Sequence, residues 1–184
     1  MEVSQYMNIK MIDKSIKFFG INIGILTISD TRNFDNDKSG SILLSMIEDY
    51  GHICILRDIV KDEPTKLLLT LNKWTNNKNL DVIITSGGTG LTGRDITVDV
   101  LETFFDKKID GFGELFRFLS YKKIGTSTIQ SRAIAGTKNG KYIFCLPGSP
   151  SACKDAWEEI LKFQLDIRHK PCNFVEIMPR LKET

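Results

Sequence analysis

The chain has 184 residues, 41% of them hydrophobic and 26% charged, with a formal net charge of +2. That length suits one substantial core, and that charge is too small to point to a nucleic-acid surface. No apolar run nears the ~18 residues that a membrane span needs.

The first twenty residues, MEVSQYMNIKMIDKSIKFFG, carry Glu2, Lys10, Asp13, Lys14 and Lys17 where a signal peptide needs an apolar stretch. A cytoplasmic protein is therefore expected. Residues 1–19 read as an N-terminal arm, 20–165 as one α/β domain and 166–184 as a C-terminal tail. INIGILTIS (21–29), HICILRDIV (52–60) and DVIITSG (81–87) are short apolar runs rich in β-branched residues, and they predict buried strands.

Helical spacing fills the gaps. Leu43, Ile47 and Tyr50 recur every three to four residues and stop at Gly51. Leu67, Leu71 and Trp74 repeat the pattern, as do Val98, Leu101 and Phe105 after a glycine-rich loop. SRAIAG and KYIFCLP then predict two strands around an Asn139-Gly140 turn, and a last helix starts near Pro150. This alternation implies right-handed crossovers and a mostly parallel sheet covered on both faces, a three-layer α/β/α fold. The pairs Lys107–Lys108 and Lys122–Lys123 read as solvated helix ends.

The inventory of metal and redox ligands is thin. Cys54, Cys145, Cys153 and Cys172 form no C-x-x-C pair, and His52 and His169 are the only histidines. Zinc and a disulfide framework are poorly served, so buried, reduced thiols are expected. Any metal here would be a hard cation held by oxygen.

In an open parallel sheet, ligands bind beyond the carboxyl ends of the strands. Four places follow strands: Ser29-Asp30, Asp62-Glu63, the loop from Thr85 to Asp95, and Pro147-Gly148-Ser149-Pro150. Asp62, Asp95 and Ser149 could each be a helix N-cap, and Asp30 a turn former. The loop TSGGTGLTGRDIT asks for more. Gly88 and Gly93 have the glycine spacing of a phosphate-binding loop, yet Arg94-Asp95 stands where Lys and Ser or Thr should follow. Backbone amides at such a helix entry favour an anion, whereas the carboxylates oppose one. Mg²⁺ between carboxylates and substrate phosphates reconciles the two, with Asp95 facing the metal and Arg94 or the amides facing phosphate.

SGGTGLTGRDIT, GFGELFR (111–117), SRAIAG (131–136) and LPGSPSA (146–152) together resemble the MoaB/MogA family of molybdenum-cofactor biosynthesis over about residues 20–173. IGTSTIQSRAIAG and KPCNF resemble its MoaB branch. The resemblance implies Mg²⁺-dependent adenylylation of molybdopterin by ATP, giving molybdopterin-AMP and pyrophosphate, in a trimer or hexamer that supplies a downstream molybdenum-insertion protein. It assigns catalysis and metal binding to Asp62 and Asp95. Nucleotide phosphates fall to Gly87, Gly88, Thr89, Gly90 and Arg94, and the pterin side to Ser29, Asp30, Ser131, Pro147, Gly148 and Ser149. Val98 stands where many relatives have proline. Two other readings use the same fold: a non-catalytic molybdopterin carrier, and a nucleotide pyrophosphatase, whose motif this chain fits less well. Phe112, Phe116, Phe118 and Trp157 are more aromatic bulk than one small sheet needs, which also suggests assembly.

Overall fold

The strands over Asn22–Ile28, Val82–Ser86 and Lys141–Leu146 form where apolar, β-branched runs meet an apolar layer on each face. Ile53–Val60, also expected to be buried, is instead a half-exposed strand at the sheet edge. A computed structural model describes residues 11–183. After a short strand β1 (Met11–Ile12) come β2 (Asn22–Ile28), α1 (Lys38–Tyr50), β3 (Ile53–Val60), α2 (Pro64–Thr75), β4 (Val82–Ser86) and α3 (Thr97–Phe104). There follow β5 (Lys107–Lys108), α4 (Asp110–Ile124), a 3₁₀ segment (Gly125–Gln130), β6 (Ile134–Lys138), β7 (Lys141–Leu146) and α5 (Pro150–Ala156). The last helix runs on through a π-helical stretch (Trp157–Leu161) into α6 (Lys162–Gln164), and β8 (His169–Lys170) and α7 (Phe174–Ile177) close the chain.

The main sheet has the order β3-β2-β4-β7-β6-β5. Its first four strands are parallel, and β6 and β5 continue it antiparallel. Period-two alternation divides the core. Ile23, Ile25, Val82, Ile84 and Phe144 face α1, α4 and α5, where Leu43, Ile47, Phe116 and Trp157 are buried. Leu26, Ile28, Ile83, Ile143 and Cys145 face α2 and α3, where Leu71, Trp74, Leu101 and Phe104 are buried. Each such fully buried aliphatic side chain is worth about 1.5–3 kcal/mol against leaving it in water.

Local chemistry sets the element ends. Gly51 ends α1 in the left-handed region, at φ 102°. Asn139 and Gly140, both at positive φ, make the tight β6–β7 turn. Phe104, not Phe105, is the buried partner on α3, because the helix stops there and Phe105 is extended.

Several expectations need correction. Residues 110–130, which carry no clear helical spacing in the sequence, form a helix with a 3₁₀ extension, and Lys107–Lys108 form an exposed edge strand instead of a helix end. Phe112, Phe116 and Trp157 are consumed by the chain's own core, leaving only Phe118 of that set exposed. Cys172 is exposed, unlike Cys145 and Cys153. Residues 1–10 of the predicted arm lie outside the described residues, but Met11–Ile12 pair antiparallel with His169–Lys170, tying the two ends of the chain together.

Candidate functional site

At the carboxyl ends of β2, β3, β4 and β7, four loops meet. The glycine loop leaves β4 by a turn that only glycine makes without strain. Gly87 sits at φ 113° and Gly88 at φ 62°. A side chain on Gly87 would strike the Ile28 carbonyl, and one on Gly88 would strike the Thr97 hydroxyl and, at 2.8 Å, the Asp62 carboxylate. Gly93 is free of such crowding. The Gly88–Gly93 spacing is thus incidental, and Gly87–Gly88 is the pair the backbone requires.

Neither rim aspartate caps a helix. The N-cap of α2 is Glu63 and that of α3 is Ile96, both without a side-chain capping bond. Asp95 instead turns back into its own loop, accepting from the Thr92 amide (2.9 Å) and the Thr92 hydroxyl (2.6 Å). The Thr92 bonds, with the Gly90 amide and the Arg132 charge, hold its carboxyl below the usual carboxylate range. Asp62 goes the other way. Burial, then the charges of Asp30 and Asp95, push its carboxyl up, only partly offset by Arg94.

The remaining predicted residues divide between structural and open positions. Arg94 forms an ion pair with Asp30 and is otherwise exposed, so its charge is spent on a neighbour rather than held free for phosphate. Ser29 accepts from the Thr31 and Arg32 amides (3.3 Å each), which makes it a turn former. The Gly87 amide donates to the Leu146 carbonyl (3.1 Å), and the Gly90 amide supports Asp95, so the amide cradle narrows to Gly88 and Thr89. Ser149 is the N-cap of α5, accepting from the Ala152 amide, with Pro150 at the first helical position as its sequence implies.

Beside the acidic rim lies a cavity of about 250 Å³. Its walls include Thr89, Gly90, Ser131, Pro147 and Ser149, so the structure brings these predicted residues together. Phe116 and Ile124 supply apolar surface, and Ser120, Lys123, Gln130 and Asp155 supply polar groups that sequence reasoning had missed. Their signal was faint: α4 had not been recognised, and it delivers four of these six. The Ser131 hydroxyl is buried and makes no hydrogen bond within the described residues, as is also true of Thr97. An unmet buried hydroxyl costs about 1–3 kcal/mol, which makes Ser131 a natural donor or acceptor for a ligand in the cavity.

Two arginines absent from the sequence reading brace the site. Arg32 donates to the Gly148 carbonyl (2.8 Å) and to Ser39, tying the loop after β2 to the Pro147–Ser149 turn. Arg132 donates to the Gly90 carbonyl (3.3 Å) and pairs with Asp99, tying the glycine loop to α3. Arg32 stands two residues after Asp30 and Arg132 directly after Ser131, but their bonds span 116 and 42 residues of chain. Among the described residues no group of three or more His, Cys, Asp or Glu side chains is arranged to hold a metal by itself. The acidic rim fits a cation that takes one or two carboxylates and completes its shell with substrate oxygens.

Comparison with known proteins identifies the family. Residues 24–167 match the family model described as a probable molybdopterin binding domain. Molybdenum cofactor biosynthesis protein B of Escherichia coli K12 is 42% identical over 169 residues, covering 92% of this chain and 98% of that protein. The chain belongs to the MoaB family. Its counterpart in Staphylococcus aureus MRSA252 is 41% identical over 167 residues, covering 89% of this chain and 95% of the other. Among solved structures, a molybdenum cofactor biosynthesis protein B superposes with a TM-score of 0.78 at 39% identity, covering 80% of this chain and 92% of that one. The tungsten cofactor synthesizing protein MoaB of Pyrococcus furiosus does so at 0.69 and 34%, covering 77% and 90%. The MoaB fold and the place of this family in molybdenum-cofactor biosynthesis are thereby secured.

Proposed function

We propose that this MoaB-family chain adenylylates molybdopterin, joining its phosphate to the AMP part of ATP and releasing pyrophosphate. The observation that carries this reading is Asp62, a half-buried carboxylate pushed up by burial and by two neighbouring acids, at the lip of a glycine loop. A binding protein that only stored the pterin would have no use for such crowding. The Gly88 and Thr89 amides would receive nucleotide phosphate, and Ser131 with the Pro147–Ser149 turn would hold the pterin side. Asp62 and Asp95 would hold Mg²⁺, which when bound supplies charge neutralisation and Lewis acidity at the α-phosphate. Arg32 and Arg132 fix the two loops so that the phosphates meet in line, which is most of what nucleotidyl transfer asks of a protein.

The exposed stripe Leu115, Phe118, Tyr121 and Ile124 on α4, with Ile129 beyond it, supports self-association as a trimer or hexamer of trimers. No helix among the described residues is long and apolar enough to cross a membrane. A cytoplasmic setting, with hand-on to a molybdenum-insertion protein, completes the proposal.

Pyrophosphate release with MgATP and molybdopterin tests it. Pterin-dependent release that stops with chelator and returns with Mg²⁺ is the expected result. Tight pterin binding without any release would leave the carrier reading instead.

A further inference from the structure

A second pocket lies at the opposite end of the sheet, where the parallel strands begin. It has a volume of about 420 Å³ and is walled by Lys78, Lys141 and Lys182 over a floor of Ile21, Leu80 and Val175. Nothing in the proposed reaction uses it. Lys141 opens β7, is only 7% exposed, and donates to the Leu80 carbonyl (2.6 Å). Among the described residues it has no ion-pair partner. Burial, then the charge of Lys182, pushes its ammonium down from the ordinary lysine value.

Lys182 reaches Lys141 for a definite reason. Its stem lies across Gly140, in space that any side chain there would occupy. Gly140 is therefore needed twice, for its φ of 74° and for its missing Cβ. The one acid on the wall, Asp81, is engaged by the Asn22 amide (2.8 Å). Three ammonium groups against one carboxylate leave a balance of +2, of which only the Lys141 charge is buried; Lys78 and Lys182 stand exposed at the rim. Phe19, Met178 and Pro179 add apolar wall, and Phe19 is half exposed.

We propose that this pocket binds a small phosphomonoester, with its dianion between Lys141 and Lys182 and its apolar body against Phe19 and Met178. The +2 balance matches a phosphate dianion better than a single carboxylate. The lysines act as point charges, as lysine does at phosphates generally. The site is independent of the adenylylation reading, because no residue is shared between the two pockets.

Phenyl phosphate is a suitable probe, added to the full chain without Mg²⁺ or ATP. Calorimetry should show one saturable site per chain, and mass spectrometry should show Lys182 acetylated more slowly with the probe than without it. Lys182→Ala, at an exposed position that leaves the core intact, should weaken binding at least tenfold, as should Lys141→Met if its melt confirms folding. Ser131→Ala should bind normally, and benzoate at least tenfold more weakly than phenyl phosphate. Absence of saturable binding at millimolar probe would overturn the proposal, as would affinity unchanged in Lys182→Ala or binding lost in Ser131→Ala.

Discussion

Asp37 and Asp62 both stand at the rim where strands hand over to helices, yet their surroundings are opposite. Asp37 is almost wholly buried and surrounded by donors: the Gly40 amide (3.1 Å), the Thr27 hydroxyl (2.9 Å) and Arg57 (3.1 Å). Burial alone would push its carboxyl up, but these donors more than offset it and hold it below the usual range. Asp62 is less buried and faces acids, and its carboxyl is pushed up. A buried charge with a full set of partners is finished, and serves the fold by capping α1. One that faces like charges is held at a cost to the fold. The difference makes Asp62, and not Asp37, the candidate for function.

The largest effect should come from neutralising the unfinished acid. Asp62→Asn should cut pyrophosphate release by roughly 10²-fold or more, about 2.7 kcal/mol of barrier, while the melting temperature of the ligand-free protein holds or rises slightly. An unchanged rate in a folded variant would put Asp62 outside the chemistry. Asp95→Asn sharpens the point, since the amide oxygen can still accept from Thr92 while the charge and the second acceptor oxygen are lost. A similar fall in rate with a slightly lowered melt is expected.

Asp37→Ala should do the reverse. It strands Arg57 and the Thr27 and Gly40 donors, costing about 3 kcal/mol of stability and lowering the melt by roughly 6–12 °C for a chain of this size. A calorimetric scan showing no fall would break the comparison. Next in size is Arg132→Met, which removes the brace on the Gly90 carbonyl. It should raise KM for ATP about tenfold, near 1.4 kcal/mol, and leave the melt nearly unchanged. A lowered melt without a KM change would make Arg132 a structural group alone.

The smallest effect is a matter of pH. Asp62 has a folded pKa above its unfolded value of 3.8, so its ionised form opposes folding at neutral pH, and that penalty fades as pH falls towards 3.8. The small melting advantage of Asp62→Asn should therefore shrink on acidification. Asp37, depressed instead, contributes stability that is present above 3.8 and lost as pH falls through its lower native value. Melts of wild type and both variants between pH 7 and about 2.5, without metal, separate the two signs.

Periodicity made the central strands legible, because residues alternating between two apolar faces leave a two-residue signature that survives any packing detail. The Gly51 stop, the Asn139-Gly140 turn and the Ser149-Pro150 helix start were legible for the same local reason. Helix α4 was not, since Gly111, Gly113 and polar breaks blur its spacing and, of its apolar side chains, only Phe112 and Phe116 are fully buried. The glycine loop, Asp62 and Asp95 could be singled out from the sequence because loops after parallel strands gather at one end of a sheet, whereas Ser131 came only from the resemblance to the MoaB/MogA family. What the sequence could not say is which of those groups were already satisfied. Arg94 is paired with Asp30 and the Gly87 amide with Leu146, whereas the Ser131 hydroxyl has no partner among the described residues. Composition and spacing fix which donors and acceptors exist along the chain. Only the tertiary fold decides which of them meet one another, because the bonds that consume or spare them join residues tens to more than a hundred positions apart.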